Sequence, residues 1–176
     1  SDQGSIDPDV VAEGREILQN ISLDSGDDDG DGNDIVNLPA GYVAYLTNHY
    51  SKAVRYGAFG PLFTATDDFF PGQDLVVRRV TVGRAGAMEG VRKVVWDEIL
   101  ALATPALLPV LARSQSPSGD SYSLVYDVTG GTTLYDLVKD EAQRKTLTWE
   151  HRVRIVQSVA QALAFLHSGG PGRKSL

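Results

Sequence analysis

The sequence contains no cysteine, no long apolar run and no surplus of basic residues, and each absence excludes a class of protein. Without cysteine the chain can form no disulfide, no thiolate metal site and no cysteine nucleophile, which is typical of a reducing compartment. No stretch approaches the ~18 apolar residues of a membrane helix, and the polar, acidic first part of the chain is unlike a secretory signal. We therefore expect a soluble protein of the cytoplasm or the nucleus that does not bind membranes.

The charge of the chain is negative and unevenly distributed. Aspartate and glutamate number 23 against 16 lysines and arginines, which gives a formal net charge of −7. Six of the aspartates and no basic residue lie in DSGDDDGDGND, residues 24–34, so the rest of the chain is nearly neutral. Because nucleic-acid binding requires clustered lysine and arginine, we expect no nucleic-acid partner.

The acidic run has part of the spacing of a calcium-binding loop, at Asp27, Asp29, Asp31 and Gly32. That motif also requires an apolar residue two positions after the glycine and a glutamate six positions after it. Asp34 and Leu38 stand at these positions, which favours a solvated flexible linker over a metal site. We therefore expect no metal or other cofactor. We predict an amino-terminal helix and linker over residues 1–37 and a compact domain over residues 38–176.

The apolar pattern predicts an α+β protein. Residues 8–21 have helical spacing, with Asp7 as the cap, Pro8 at the first position and Gly14 as a weak point. Three strands follow in AVRYGAFGPLFTATDDFFPGQDLVVRRVTV, with a turn at Asp67–Gly72. Then come a helix in AMEGVRKVVWDEILALA and two strands, LLPVLARS and YSLVYDV, which are joined by SQSPSGD.

The pattern after Gly131 predicts a short helix in TTLYDLVKDEAQR and a longer helix that begins after Thr148 and ends at Gly169. The longer helix carries an apolar face, and its members are Val153, Val156, Val159, Ala160, Leu163 and Leu166. An apolar face of this size must be covered within the chain, by the amino-terminal helix or the short helix, or else by a partner protein.

The strand DLVVRRVTV contains two adjacent arginines, Arg78 and Arg79. Successive side chains of a strand point to opposite faces, so at most one of the two can point to solvent. A guanidinium keeps its charge, so the inward arginine requires an anionic partner.

Five strings carry a resemblance to a known family, and they are RYGAFGPLF, LVVRRV, VVWDEILALA, YSLVYDVTGGTTLYDLV and LTWEHRVRIVQSVAQALAFLHSG. In this order they resemble the glycine-rich loop, third strand, helix C, fifth strand with hinge, and helix E of a protein kinase. The similarity is closest to plant receptor-like kinases and interleukin-receptor-associated kinases, over about residues 40–170. The resemblance implies a five-stranded antiparallel sheet with helix C, then a hinge and one or two helices of the larger lobe.

The resemblance also implies a degenerate nucleotide site. Gly57 and Gly60 match two glycines of the loop, whereas Arg55 and Ala58 replace the other two. The position of the phosphate-gripping lysine is occupied by Arg78.

Glu98 on helix C is the predicted partner of Arg78, which would then point inward while Arg79 points outward. The connection from Glu98 to Pro105 is shorter than in the family, so either it is truncated or the match slips there. Tyr126 matches the residue behind the nucleotide pocket, and Asp127, Val128 and Thr129 match the hinge.

The family's catalytic base and metal-binding residues lie beyond helix E, and the sequence ends at Leu176, so the resemblance implies no phosphate transfer. We expect a non-catalytic protein-interaction module, with the apolar face of the last helix as its candidate surface. Plant tandem-kinase immune receptors suggest a pathogen effector or an adjoining kinase domain as partner. The alternatives are a truncated kinase or pseudokinase that still binds ATP, and a structural module that forms homodimers.

Overall fold

The computed structural model describes residues 6–24, 35–57, 60–81 and 107–168. Their helices are α1 (Pro8–Asp24), α2 (Ala40–Leu46), α3 (Leu134–Lys139), α4 (Glu141–Thr146) and α5 (Trp149–His167). Their strands are β1 (Val36–Asn37), β2 (Ala53–Gly57), β3 (Gly60–Ala65), β4 (Leu75–Thr81), β5 (Ala112–Gln115) and β6 (Ser121–Asp127). The predicted helix in AMEGVRKVVWDEILALA, the acidic run after Asp24 and the predicted stop at Gly169 lie outside the described residues.

The six strands form one mixed sheet in the order β1-β5-β6-β4-β3-β2. The five longer strands pair antiparallel, which confirms the predicted α+β fold and its antiparallel sheet. The sixth strand, β1, was not predicted, and it pairs in parallel with β5. It consists of two residues, too few for a period-two pattern to be recognised.

One face of the sheet, which we call the core face, carries most of the buried residues. Its buried apolar side chains are Ala65 of β3, Leu75 and Val77 of β4, Ala112 of β5 and Val125 of β6. Tyr42, Val43 and Leu46 of α2 pack against them. Helix α1 adds Val11 and Leu18 to the same core, while the boundary proposed between residues 37 and 38 stays a prediction.

The described residues belong to two compact units. The sheet unit contains α1, α2 and all six strands, and runs up to Thr129. The helical unit contains α3, α4 and α5, together with Leu107 and Leu108. The three helices of the second unit begin at side-chain caps, because Thr133, Asp140 and Thr148 each accept a hydrogen bond from a backbone N–H of the first turn.

A buried carboxylate connects α1 and α2 to the loop after β3, and we call this cluster the Asp67 clamp. The side chain of Asp67 is fully buried, and the Nε and a terminal nitrogen of Arg15 donate to its two oxygens at 2.8 Å each. The Tyr42 hydroxyl donates to the same carboxylate at 2.9 Å, and the Phe69 N–H at 3.0 Å. The Arg15 guanidinium also lies 5.6 Å from the ring centroid of Tyr45.

The clamp fixes the protonation states of its members. Burial alone would raise the pKa of Asp67, but the hydrogen bonds from Arg15, the Phe69 amide and Tyr42 outweigh it and leave the pKa below its usual value. Burial, reinforced by the hydrogen bond to Asp67, raises the pKa of Tyr42. At neutral pH the carboxylate is therefore charged and the phenol is protonated.

We predict that Asp67→Asn lowers the free energy of unfolding at pH 7 by about 1.5–3 kcal/mol, because Arg15 and Tyr42 lose the charged acceptor of their hydrogen bonds. The pKa of Asp67 is lower in the folded chain than in the unfolded chain. The clamp therefore contributes its full stabilisation of the fold above the unfolded pKa, about 3.9. This contribution is lost as the pH falls through the lower, folded pKa. Urea unfolding at several pH values between 2 and 7 should therefore give curves for wild type and variant that converge at low pH. Asp68→Asn, at the exposed neighbouring position, is the control, and equal losses in the two variants would contradict the clamp.

Gly14 permits the close packing of α1 on α2. It is buried, and a Cβ atom built there would overlap the ring of Tyr42. The residue that weakens α1 as an isolated helix is therefore required for its packing.

We predict that Gly14→Ala destabilises the protein, although alanine favours an exposed helix by about 1 kcal/mol over glycine. Urea unfolding of this variant should give a lower midpoint than wild type. Ala12→Gly, at an exposed position of the same helix, measures the propensity effect alone. A higher midpoint for Gly14→Ala would contradict the predicted overlap.

Candidate functional site

The register of the sheet brings three arginines into one row on the face opposite the core face. Adjacent residues of this row face each other across neighbouring strands, in the order Arg55, Leu62, Arg78, Leu124 and Arg113. Directly opposite residues project from the same face, and neighbouring strands lie about 4.8 Å apart. We call this set the arginine row. No local pattern of the sequence predicts it, because it depends on the pairing of strands far apart in the chain.

Arg78 lies at the centre of the arginine row and is half-buried. In the neighbouring row of the same face Val76 lies opposite Tyr126. Burial raises the pKa of Tyr126, and the positive charge of Arg78 opposes this rise, so the two side chains share one electrostatic environment. No carboxylate within the described residues forms an ion pair with Arg78. Glu98 lies outside the described residues, and its pairing with Arg78 stays a prediction.

Arg79 does not point outward, and this expectation was wrong. The alternation of β4 puts it on the core face, two residues after Val77. Its guanidinium lies 4.5 Å from the ring centroid of Tyr50, and it donates a hydrogen bond to the Ser121 hydroxyl at 3.3 Å. An aromatic ring and a hydroxyl here take the place of water around the cation.

Tyr50 reaches Arg79 through a strained turn. Asn48, His49 and Tyr50 all adopt left-handed backbone conformations, with φ of 47°, 55° and 55°. Each such residue costs roughly 1–2 kcal/mol. The Tyr50 hydroxyl lies 2.9 Å from that of Ser123, and its ring packs edge-on against Phe63 at 5.2 Å. These contacts hold the ring over the sheet and offset the strain.

The predicted glycine-rich loop is the hairpin of β2 and β3, with Gly57 opposite Gly60. Ala58 lies outside the described residues, and Arg55 is exposed on β2. Gly60 has a φ of 109°, and a Cβ atom there would overlap the backbone carbonyl of Arg79. The backbone of the sheet therefore requires this glycine whether or not a phosphate binds.

Hydrogen bonds connect the predicted hinge to the residue before β4. The Val128 N–H donates to the Asp74 carbonyl at 2.8 Å, and the Asp74 N–H donates to the Thr129 hydroxyl at 2.8 Å. Asp127 accepts a hydrogen bond from the Thr129 N–H at 2.8 Å. The structure thus places Tyr126 opposite Val76 and Val128 beside Asp74, at one end of the sheet.

We predict that Gly60→Ala destabilises the protein by more than about 2 kcal/mol without any nucleotide, because left-handed strain adds to the overlap with the Arg79 carbonyl. Gly72→Ala is the matched control, since Gly72 also has a positive φ, 88°, but open space around it. Thermal unfolding of both variants tests this. If the two variants lose the same stability, the overlap plays no part.

The apolar face predicted on the last helix is largely open. The side chains of Trp149 and Val156 are 78% and 67% exposed, and Val159 and Leu163 are about half-exposed. Leu166 is also exposed, whereas Val153 is half-buried. Leu134, Tyr135 and Val138 of α3 are exposed in the same unit. The role of this face in binding stays a prediction.

None of the helices in the described residues combines the length and the apolar character that crossing a membrane requires. No cluster of histidine, aspartate or glutamate in the described ranges could hold a metal ion.

The sequence is similar to plant receptor-like kinases, although no family model matches it. It is 29% identical over 157 residues to cysteine-rich receptor-like protein kinase 36 of Arabidopsis thaliana, a match that covers 87% of this chain and 22% of that protein. It is 31% identical over 137 residues to the nodulation receptor kinase of Pisum sativum, which covers 75% of this chain and 14% of that protein.

The fold is similar to that of solved pseudokinases. DRIK1, a drought-responsive inactive kinase crystallised with ENMD-2076, superposes with a TM-score of 0.60 at 16% identity, over 78% of this chain and 52% of that one. The pseudokinase domain of BIR2, an immune regulator, superposes with a TM-score of 0.53 at 22% identity, over 71% of this chain and 38% of that one. The chain thus spans about half or less of these structures, and a smaller share of the kinases above.

Proposed function

We propose that this chain, a partial and degenerate protein kinase domain that resembles those of plant receptor-like kinases, works as a non-catalytic protein-interaction module. The observation that carries the proposal is the exposed apolar face of α5. The altered nucleotide site supports it independently.

The residues of the nucleotide site are poorly suited to phosphoryl transfer. Kinases grip the nucleotide phosphates with a lysine on the third strand and with the backbone of a glycine-rich loop. A planar guanidinium at Arg78 does not reproduce a compact ammonium, and the side chain of Arg55 adds bulk where the loop needs glycine. Gly60 meets a structural requirement of the sheet. These departures favour a role for Arg78 in structure over a role in catalysis.

The exposed side chains of α5 favour contact with another protein. Soluble proteins rarely expose contiguous apolar patches of more than a few hundred Å², and larger patches usually mark interfaces. Five large apolar side chains of one helix are exposed here. Aromatic residues such as Trp149, which is exposed here, often dominate the binding energy of an interface when a partner buries them.

We further propose that the module has a role in plant immunity, in the cytoplasm or the nucleus. BIR2, which has a similar fold, is described as an immune regulator. In this form the module captures a pathogen effector or contacts an adjoining kinase domain.

The competing function is nucleotide binding by a pseudokinase. DRIK1 binds the small molecule ENMD-2076, so an inactive kinase of this fold can keep a pocket. The face that carries Val76, Arg78 and Tyr126 would contain the corresponding site here.

Thermal unfolding with ATP and Mg²⁺ separates the two functions, and we predict no stabilisation at millimolar ATP. A ligand present at 100 times its Kd would add about 2.7 kcal/mol, roughly 5 to 10 °C for a chain of this size. Sodium sulfate at equal ionic strength controls for general binding of anions to the arginine row. A rise of several degrees with ATP, absent with sulfate, would overturn the proposed function.

A further inference from the structure

The ring of Tyr50 is held on the core face of the sheet by three contacts. It packs edge-on against Phe63, with 5.2 Å between the ring centroids, and the Arg79 guanidinium lies over it at 4.5 Å. Its hydroxyl lies 2.9 Å from the hydroxyl of Ser123, a residue that is only 5% exposed. Tyr50 itself is half-buried, so its ring lies between this cluster and the solvent.

The turn that carries Tyr50 opposes these contacts. Asn48, His49 and Tyr50 have φ of 47°, 55° and 55°, a left-handed region that side chains with a Cβ atom disfavour. Such strain persists only where surrounding contacts enforce it, and it is common in switch regions. Asn48 and His49 are exposed, so the side chain of Tyr50 is what chiefly holds the turn on the sheet. Loss of its contacts therefore lets the turn relax.

We propose that Tyr50 is a phosphorylation site and that a phosphate on its hydroxyl releases the ring from the sheet. In the reaction the phenol oxygen attacks the γ-phosphorus of ATP bound to a second kinase. The bond from that phosphorus to the ADP oxygen breaks, and the phenol proton passes to the base of the second kinase. The product carries a charge of about −1.5 to −2 and three acceptor oxygens on an atom that lies 2.9 Å from the Ser123 hydroxyl.

The docked position of the ring does not accommodate a phosphate. Ser123 is buried on β6, which pairs with β4 on one side and β5 on the other, so its hydroxyl cannot withdraw to make room. Arg79 donates to the Ser121 hydroxyl, which in turn donates to the Asp120 carboxylate at 3.1 Å. A second anion close to Asp120 is repelled by it. Because an unpaired charge is costly to bury, the phosphorylated ring moves into solvent.

Release of the ring changes the surface of the sheet unit. It uncovers the ring of Phe63, the guanidinium of Arg79 and the hydroxyl of Ser123, all of which contact Tyr50 in the docked state. It also loosens the backbone around Lys52, an exposed residue between the turn and β2. Trypsin cleavage after Lys52 therefore reports on the release. The switch does not depend on the proposed interaction function, since every residue in it belongs to the sheet unit.

Phosphotyrosine inserted at position 50 of the full chain, by an expanded genetic code, tests the release. We expect trypsin to cleave after Lys52 at least about tenfold faster than in wild type, because proteolysis follows the population of the opened form. Each rate is divided by that of the matching synthetic peptide of residues 47–57, which corrects for any effect of the phosphate on trypsin. Phosphotyrosine at Tyr56, which is 81% exposed on β2, is the matched control and should leave the rate unchanged. A wild-type rate with the phosphate at Tyr50, or equal acceleration from both positions, would refute the switch.

His49→Gly tests the part that the strained turn plays. Glycine adopts a positive φ without strain, so this variant favours the docked ring. The full chain is treated with ATP, Mg²⁺ and a purified tyrosine kinase of broad specificity, and phosphate at each tyrosine is followed by mass spectrometry. We expect Tyr50 to be phosphorylated in wild type and about fivefold more slowly in His49→Gly. Tyr56 in the same molecules is the internal control, and its rate should be the same in both proteins.

Two results of the kinase experiment would overturn the proposal. Phosphate at Tyr56 with none at Tyr50 in wild type would show that the ring does not leave the sheet often enough to be modified. Equal rates at Tyr50 in wild type and His49→Gly would show that strain in the turn does not drive the release. Neither result bears on the apolar face of α5, so the switch and the proposed function fail independently.

Discussion

The buried charge of Asp67 is the interaction on which the arrangement of the sheet unit depends. Breaking a buried ion pair costs about 3–5 kcal/mol, so the carboxylate must keep its partners. Arg15 comes from α1, Tyr42 from α2 and the amide of Phe69 from the loop after β3, so one charge holds together three segments far apart in the sequence. Gly14 lets α1 pack directly on the ring of Tyr42, so the residue that binds Asp67 also holds α1 on the core.

The packing of α1 and α2 on the core face limits which face of the sheet can carry a functional site. Helices α1 and α2 cover one face of the sheet, and the ring of Tyr50 extends this cover over Arg79. The pleat of β4 sends the two adjacent arginines to opposite faces. Arg79 becomes part of the packing, whereas Arg78 stays beside Tyr126 on the other face, where the resemblance puts the nucleotide pocket. The arginine pair thus has one member packed on the core face and one on the opposite face.

The sequence predicted the features that depend on neighbouring residues. The five antiparallel strands, the cap at Thr148 and the apolar residues along one side of α5 follow from local period and local chemistry. Prediction from the sequence failed where the surroundings of a residue are formed by residues distant in the chain. Arg79 was placed outward because nothing in its strand indicates Tyr50, and Asp67 was taken for a turn residue because its partner Arg15 lies 52 positions away. The arginine row could not be predicted either, since the pairing of five strands brings it together.

Helix α5 carries apolar residues on a covered side and on an exposed side. A helix that only completes a core needs one apolar side, and Ala162 with its partly buried neighbours provides it. The exposed side carries five large apolar residues, which are Trp149, Val156, Val159, Leu163 and Leu166. Exposed apolar patches of this kind usually mark interfaces. This exposed surface is therefore the feature on which the proposed interaction function rests.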